Sequence, residues 1–339
     1  MKVAPGTRIA EAMNWLCYVY RREAWAFDCS RLFRSYDDVE IDRPIFLLGT
    51  QGGGLTLVSR MLRRNPTVIS VTGNHTYWAG ADEMQNVLGP ILPPQLTGIK
   101  NKIPPHPDFP PPRGWLYAID ALLPLYRLTE KDADADLKSR FLRLLRWLIA
   151  HHQVPGVGTR FTDKSQLYTI KVAFLNKLLE GTDPRFLLIT RNPYALCYRS
   201  ANGGARSCRR LAERFSLDER VRLAAEHWDN SMRCALEDGE KVNSFHVLRF
   251  ESLLERPEQQ LKETCRFLDL EFDRRMIPNE TDVVPLGSRF RNRWYPLRPS
   301  VNDRYLREIG GEHVRIIAAR CGELARRLGY APPEQVPDG

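Results

Sequence analysis

Gly49-Thr50-Gln51-Gly52-Gly53-Gly54-Leu55-Thr56 follows the apolar run Ile45-Phe46-Leu47-Leu48, so a buried strand runs directly into a glycine-rich turn. The spacing Gly49-x-x-x-x-Gly54-x-Thr56 is that of a phosphate-binding loop, whose backbone N–H groups ring an anion at the start of a helix. One residue is out of keeping with nucleotide hydrolysis or phosphoryl transfer: Leu55 stands where those enzymes need a lysine. That lysine offsets the charge that develops as a γ-phosphoryl group leaves, so its absence argues against triphosphate chemistry. A later apolar run, Phe186-Leu187-Leu188-Ile189, ends in Thr190-Arg191 where such an enzyme places a magnesium-binding aspartate. The two absences leave a loop suited to a diphosphate-like group and imply no metal.

A layered frame must hold such a loop. The pattern predicts a strand at 43–49, a helix at 55–64 and a strand at 68–71, a β-loop-α-β unit for which a parallel sheet is the expected solution. Helices at 134–152 and 170–179, a strand at 185–190, a helix after Asn192-Pro193, a helix at 218–236, a strand at 245–250 and a helix from Pro257 to Leu268 continue it. The fold class is therefore α/β, three αβα layers around a central parallel sheet. Prolines crowd residues 89–114 too densely for helix or central strand, which predicts a long surface loop, read as a cap over a second substrate. Residues 1–42 read as a helical extension packed on the core, 43–330 as one domain and 331–339 as a tail.

The bulk numbers narrow the class. With 339 residues, 43% of them hydrophobic and 27% charged, the chain can bury a large core. A net charge of +9 favours anionic partners, but the arginines between Arg199 and Arg222 come with no zinc-finger spacing and no aromatic RNA-binding signature, so nucleic acid is not expected. The seven cysteines contain no C-x-x-C pair, which speaks against a disulfide framework and a structural zinc and for a reducing, cytoplasmic setting. Residues 12–27 are apolar and aromatic, but Asn14, Arg21, Arg22 and Glu23 interrupt them, so no transmembrane segment is expected.

Three motifs in one order, the glycine-rich loop, Arg191-Asn192-Pro193, and Leu248-Arg249-Phe250-Glu251-Ser252-Leu253-Leu254 before Pro257 and Phe267-Leu268, resemble the sulfotransferase family. The resemblance implies a P-loop NTPase-like fold and the donor 3′-phosphoadenosine 5′-phosphosulfate (PAPS), with 3′,5′-ADP as product and no metal. It places Gln51, Gly52, Gly53, Gly54, Leu55 and Thr56 around the 5′-phosphosulfate, and Arg191 on the 3′-phosphate. The serine the family carries eight residues after that arginine is Arg199 here, itself a candidate ligand of the 3′-phosphate, with Ser200, the other candidate, one position late, about a 100° turn of helix away. Arg293 and Trp294, in Ser288-Arg289-Phe290-Arg291-Asn292-Arg293-Trp294, are similar to the family's basic loop that clamps phosphate and adenine. The chain departs from the family at Gly52, where a cationic side chain is usual; Lys164 or an arginine of the 288–294 segment is the expected replacement.

Sulfuryl transfer needs a base for the acceptor hydroxyl and a cation for the leaving bridge oxygen. The resemblance points to His75, in Gly73-Asn74-His75-Thr76-Tyr77-Trp78, as base, with Glu83 as the alternative, and to Lys164, in Thr162-Asp163-Lys164-Ser165-Gln166, as cation. Tyr77 and Trp78 suggest an acceptor wall, and Glu251 reads as a structural anchor. The acceptor, a carbohydrate, lipid, peptide or small molecule that offers a hydroxyl or, as the second alternative, an amine, has no readable code. A small-molecule P-loop kinase and an inactive sulfotransferase-like binding protein are the rival readings.

Overall fold

The computed structural model describes residues 12–13, 16, 19–20, 22–73, 82–97, 106–109, 115–153, 156–202, 211–279 and 297–334. His75, Tyr77, Trp78, Arg293 and Trp294 lie outside them. Every residue of Ile45–Leu48 (β1) is buried, as a strand covered on both faces requires. Val68–Ile69 (β2), Arg160–Asp163 (β3), Arg185–Thr190 (β4) and Phe245–Arg249 (β5) complete a parallel sheet in the order β2-β3-β1-β4-β5. Alternate residues serve opposite layers. Phe46, Leu48, Phe186 and Leu188 join the cluster formed with the helices Ala135–His152, Val172–Leu178, Pro193–Asn202, Leu217–Gly239 and Gly311–Arg327. Ile45, Leu47, Leu187 and Ile189 meet the helices Leu55–Leu62, Phe250–Glu255 and Pro257–Leu268 on the other face. This is the three-layer αβα architecture that the periodicity predicts.

β3 was not foreseen, because Arg160-Phe161-Thr162-Asp163 is mostly polar although all four residues are buried. Arg160 and Asp163 find partners, as burial demands, while the Thr162 hydroxyl has none among the described residues. The Arg160 guanidinium donates to the carbonyls of Arg43, Leu268 and Asp269 at 2.8, 2.9 and 3.0 Å. Burial pushes its pKa down to about 10. Backbone and side-chain pairing of this kind leaves no hydrophobic signature to read.

The opening of the proline-rich stretch also departs from a surface loop. Leu88, Leu92 and Leu96 are buried in the main core cluster. A 3₁₀ turn at Pro94–Leu96 presents carbonyls inward, where Tyr168 Oη donates to Leu96 O at 3.1 Å and Lys171 Nζ to Gln95 O at 2.6 Å. In the N-terminal segment Ala24 and Trp25 pack on the core, whereas Met13, Leu16, Tyr20 and Phe27 are exposed. Two helices not anticipated from the sequence, Asp303–Glu308 and Gly311–Arg327, close the far side of the domain. No helix among the described residues is long and apolar enough to cross a membrane.

Lys171 gives the fold a pH signature. Burial lowers its pKa to about 7, against about 10.4 in an unfolded chain. Between those values the unfolded state binds a proton that the folded state does not, so this residue makes stability rise with pH. The difference in Tm between wild type and Lys171→Met should therefore shift in favour of wild type from pH 7 to 9 and stay flat below pH 6, as thermal melts across that range will show.

Candidate functional site

The glycine-rich turn sits at the carboxyl end of β1, next to the ends of β3 and β4. Thr169 anchors its start: the hydroxyl accepts from Gly49 N–H at 2.8 Å and donates to Gly49 O at 3.1 Å. Gly53 N–H turns back to Thr50 O at 2.9 Å. The Leu55–Leu62 helix then starts from Gly54, which brings no capping side chain; Leu57 N–H bonds Gly54 O at 2.9 Å, and the Leu55 and Thr56 amides before it are the first-turn donors placed for an anion. Thr56 stands in that first turn, half-buried. Leu55 is buried in the apolar layer beneath the loop, so the position of a kinase lysine is part of the core.

Two glycines are required here by their surroundings. Gly52 and Gly54 have φ of +80° and +106°. A Cβ on Gly52 would overlap the Arg199 guanidinium, and one on Gly54 would enter the Phe250 ring. The space a cationic side chain on residue 52 would need is thus taken by a cation from the Pro193–Asn202 helix. Ser200, a residue further round that helix, lines a small cavity with Thr50 and Gln51 instead.

Arg191 holds the loop from below. It donates from Nη1 to Gly52 O at 2.6 Å and from Nε to Asn302 Oδ1 at 2.8 Å, and its guanidinium lies 5.5 Å from the Phe250 ring centre. Glu251 stitches the same region together. Its Oε1 accepts from Asn192 N–H at 2.9 Å and Asn302 Nδ2 at 2.6 Å, and its Oε2 from Tyr330 Oη at 3.1 Å. That is the anchoring role expected of it.

Lys164 follows β3 directly and is 1% exposed. Its Nζ lies 2.9 Å from Asp82 Oδ1 and 3.2 Å from Glu83 Oε1. Burial alone would lower its pKa; Asp82 and Glu83 outweigh that and leave it raised. Asp82 in turn pairs with Arg63 at 2.5 Å. Burial raises its pKa, but Lys164, Arg63 and Arg60 overcome this and hold it at about 2. Glu83 Oε2 accepts from Gln85 Nε2 at 2.9 Å and Asn86 Nδ2 at 2.8 Å, so both carboxylate oxygens are engaged.

The strand on the other side of β1 from β4 does end in an acid. Asp163 accepts from Met84 N–H at 2.7 Å and Ser165 N–H at 2.8 Å, and burial raises its pKa to about 6. Both its oxygens serve backbone, which fixes the segment carrying Glu83 against the segment carrying Lys164. The structure therefore brings Gln51, Gly52, Gly53, Gly54, Leu55, Thr56, Arg191 and Arg199 to one loop, and Glu83 and Lys164 to one cluster at the same sheet edge. Sequence reasoning missed Thr169, Asp82 and Arg63, which belong to no motif and act only through spatial contact; Asp163 stands in the Lys164 motif, and its oxygens bond backbone.

A parallel sheet in this order, with a glycine-rich loop at the end of its central strand, defines a P-loop-like α/β fold. The sulfotransferase family matches residues 44–274, and the chain belongs to that family. Among solved structures it is similar in fold to a sulfotransferase domain from the curacin biosynthetic pathway, with 17% identity, TM-score 0.52, and coverage of 87% of this chain and 100% of that one. It is likewise similar to the sulfotransferase STF9 from Mycobacterium avium, with 16% identity, TM-score 0.52, and coverage of 98% of this chain and 88% of that one. No curated protein sequence matches it.

The Gly54 contact has a measurable consequence. Gly54→Ala forces a side chain into left-handed backbone against an aromatic ring and should cost at least roughly 1–3 kcal/mol, read as a lower midpoint in urea unfolding with an unchanged slope.

Proposed function

We propose that this chain transfers the sulfuryl group of PAPS to a hydroxyl acceptor. The observation that carries the reading is Arg199 beside Gly52: the chain lacks the loop cation usual in its family, and a guanidinium from another helix fills that place. A loop without that charge would meet a phosphosulfate with backbone dipoles alone. The backbone amides of Gly52, Gly54, Leu55 and Thr56 and the Thr56 hydroxyl are the groups to hold the 5′ end, with Arg191 and Arg199 for phosphate oxygens, where a planar guanidinium fork suits two oxygens at once. When bound, PAPS supplies a sulfuryl group on an activated phosphosulfate bridge.

The chain's own contribution to transfer is charge placement. Lys164, kept cationic by Asp82 and Glu83, stands at the sheet edge as one member of a charge-balanced cluster, so it meets a leaving bridge oxygen only in exchange for one of those carboxylates. Glu83 is the described residue suited to take the acceptor proton as the new O–S bond forms and the S–O bridge breaks; His75 is the other candidate. Leu55 supports sulfuryl over γ-phosphoryl chemistry, because an apolar core residue offers nothing to a third phosphate.

Calorimetry tests the nucleotide. 3′,5′-ADP should bind at least ten-fold more tightly than ADP, and Arg199→Ala should cost roughly 1.5–3 kcal/mol of that affinity. Equal affinity for the two nucleotides sinks the reading. Glu83→Gln, which preserves shape, should slow transfer from labelled PAPS by about 10² or more while 3′,5′-ADP affinity changes little.

A further inference from the structure

The N-terminal segment is apolar toward water as well as toward the core. It lies along the Ala135–His152 helix, where Asp28 accepts from Trp147 Nε1 at 2.9 Å and meets His151 Nδ1 at 3.1 Å. Ala24 and Trp25 pack inward. Met13, Leu16 and Tyr20, three and four residues apart and so on one side of a helix, are each more than half exposed. So are Phe27, Leu32 and Phe33, the last of them 86% exposed. Tyr20 and Phe27 stack on each other, with ring centres 5.9 Å apart, yet both remain open to solvent. Among the described residues, Leu125 is the one other large apolar side chain left exposed, so these six are a concentration rather than scatter.

A groove of about 620 Å³ opens beside them, between residues 32–37 and the Ala135–His152 helix. Leu32 and Phe33 form part of its wall, and Arg34, Lys138, Arg143 and Arg146 supply four cations against a single lining carboxylate, Asp37. Asp37 is taken up by Arg146 at 3.4 Å. Glu180 meets Lys138 at 3.3 Å from outside the groove, and the Arg34 guanidinium lies 5.1 Å from the Tyr36 ring centre. The groove therefore carries surplus positive charge directly next to projecting hydrocarbon.

We propose that this end of the chain docks on an anionic phospholipid bilayer. The six apolar side chains enter the boundary between headgroups and acyl chains, and the groove cations meet headgroup phosphates and carboxylates. A bilayer surface offers hydrocarbon beneath fixed negative charge, which is the pairing this face lacks. Long arginine and lysine stems can lie against apolar surface while their charged heads stay at headgroup level. A nucleic acid would use the cations and leave six apolar side chains in water. A second copy related by a two-fold axis would set the same cations against each other.

Vesicle sedimentation of the full chain tests the proposal. Vesicles of about three parts phosphatidylserine to seven of phosphatidylcholine should bind it at least ten-fold more strongly than phosphatidylcholine alone, and about 0.5 M salt should remove most of that preference. Phe27→Ser/Phe33→Ser should weaken binding at least ten-fold, and Arg34→Gln/Arg143→Gln at least three-fold. All four positions are exposed, so both variants should melt with wild type. Arg304→Gln/Arg307→Gln removes equal charge from the Asp303–Glu308 helix and should stay within two-fold of wild type. No binding to the anionic vesicles, equal binding to both compositions, or unchanged binding in Phe27→Ser/Phe33→Ser overturns the proposal. So does an equal loss in Arg304→Gln/Arg307→Gln, the mark of net charge alone. Polyglutamate bound at least as tightly as the anionic vesicles would assign the face to an acidic protein instead. A wild-type dimer in sedimentation velocity that Phe27→Ser/Phe33→Ser dissociates, with vesicle binding unaltered, would assign it to a second copy.

Discussion

A turn without side chains lets two distant elements touch the loop backbone. At Gly52 and Gly54 the chain takes left-handed conformations, and the room left by the missing Cβ atoms is filled by the Arg199 guanidinium and the Phe250 ring. Glycine costs backbone entropy on folding, and here that cost is offset by contacts no other residue would permit. Arg191 then grips the Gly52 carbonyl, and Glu251 ties the strand end after β4 to Asn302 and Tyr330. The loop is thus shaped by groups that surround it more than by its own side chains.

The second determinant is electrostatic. Asp82, Glu83, Arg63 and Lys164 are buried together, and each would be expensive alone, because isolated charges in the interior lose their hydration. Paired, they keep one another ionised: Asp82 is held at about 2 and Lys164 stays raised despite burial. Such a cluster fixes geometry at the sheet edge, since moving any member leaves another uncompensated. Asp163 adds to this by bonding the backbone of both the Met84 and Ser165 segments.

Much of the frame was legible in the residues. β1, β4 and β5 are apolar runs, and the long helices at Ala135–His152 and Leu217–Gly239 have clear periodicity and side-chain caps at Asp134 and Ser216. β3 was hidden because Arg160, Thr162 and Asp163 are polar residues buried in the sheet interior, where Arg160 and Asp163 bond to backbone groups. Leu88, Leu92 and Leu96 were hidden by the prolines around them, which signal loop and say nothing about burial. Within the site, Arg199 was read as a phosphate ligand in the place of a serine, and its proximity to Gly52 had no sequence signal at all.

What the sequence alone determined is the glycine cradle and the family, because an anion loop is made of consecutive backbone amides and its requirements are written in consecutive residues. Tertiary structure alone decided which side chains complete it. Arg199, Phe250 and the Glu83–Lys164 pair reach one sheet edge only because parallel strands return to the same end of the sheet after long crossovers. Contacts of that origin depend on where elements settle against one another, and no local pattern of residues encodes them.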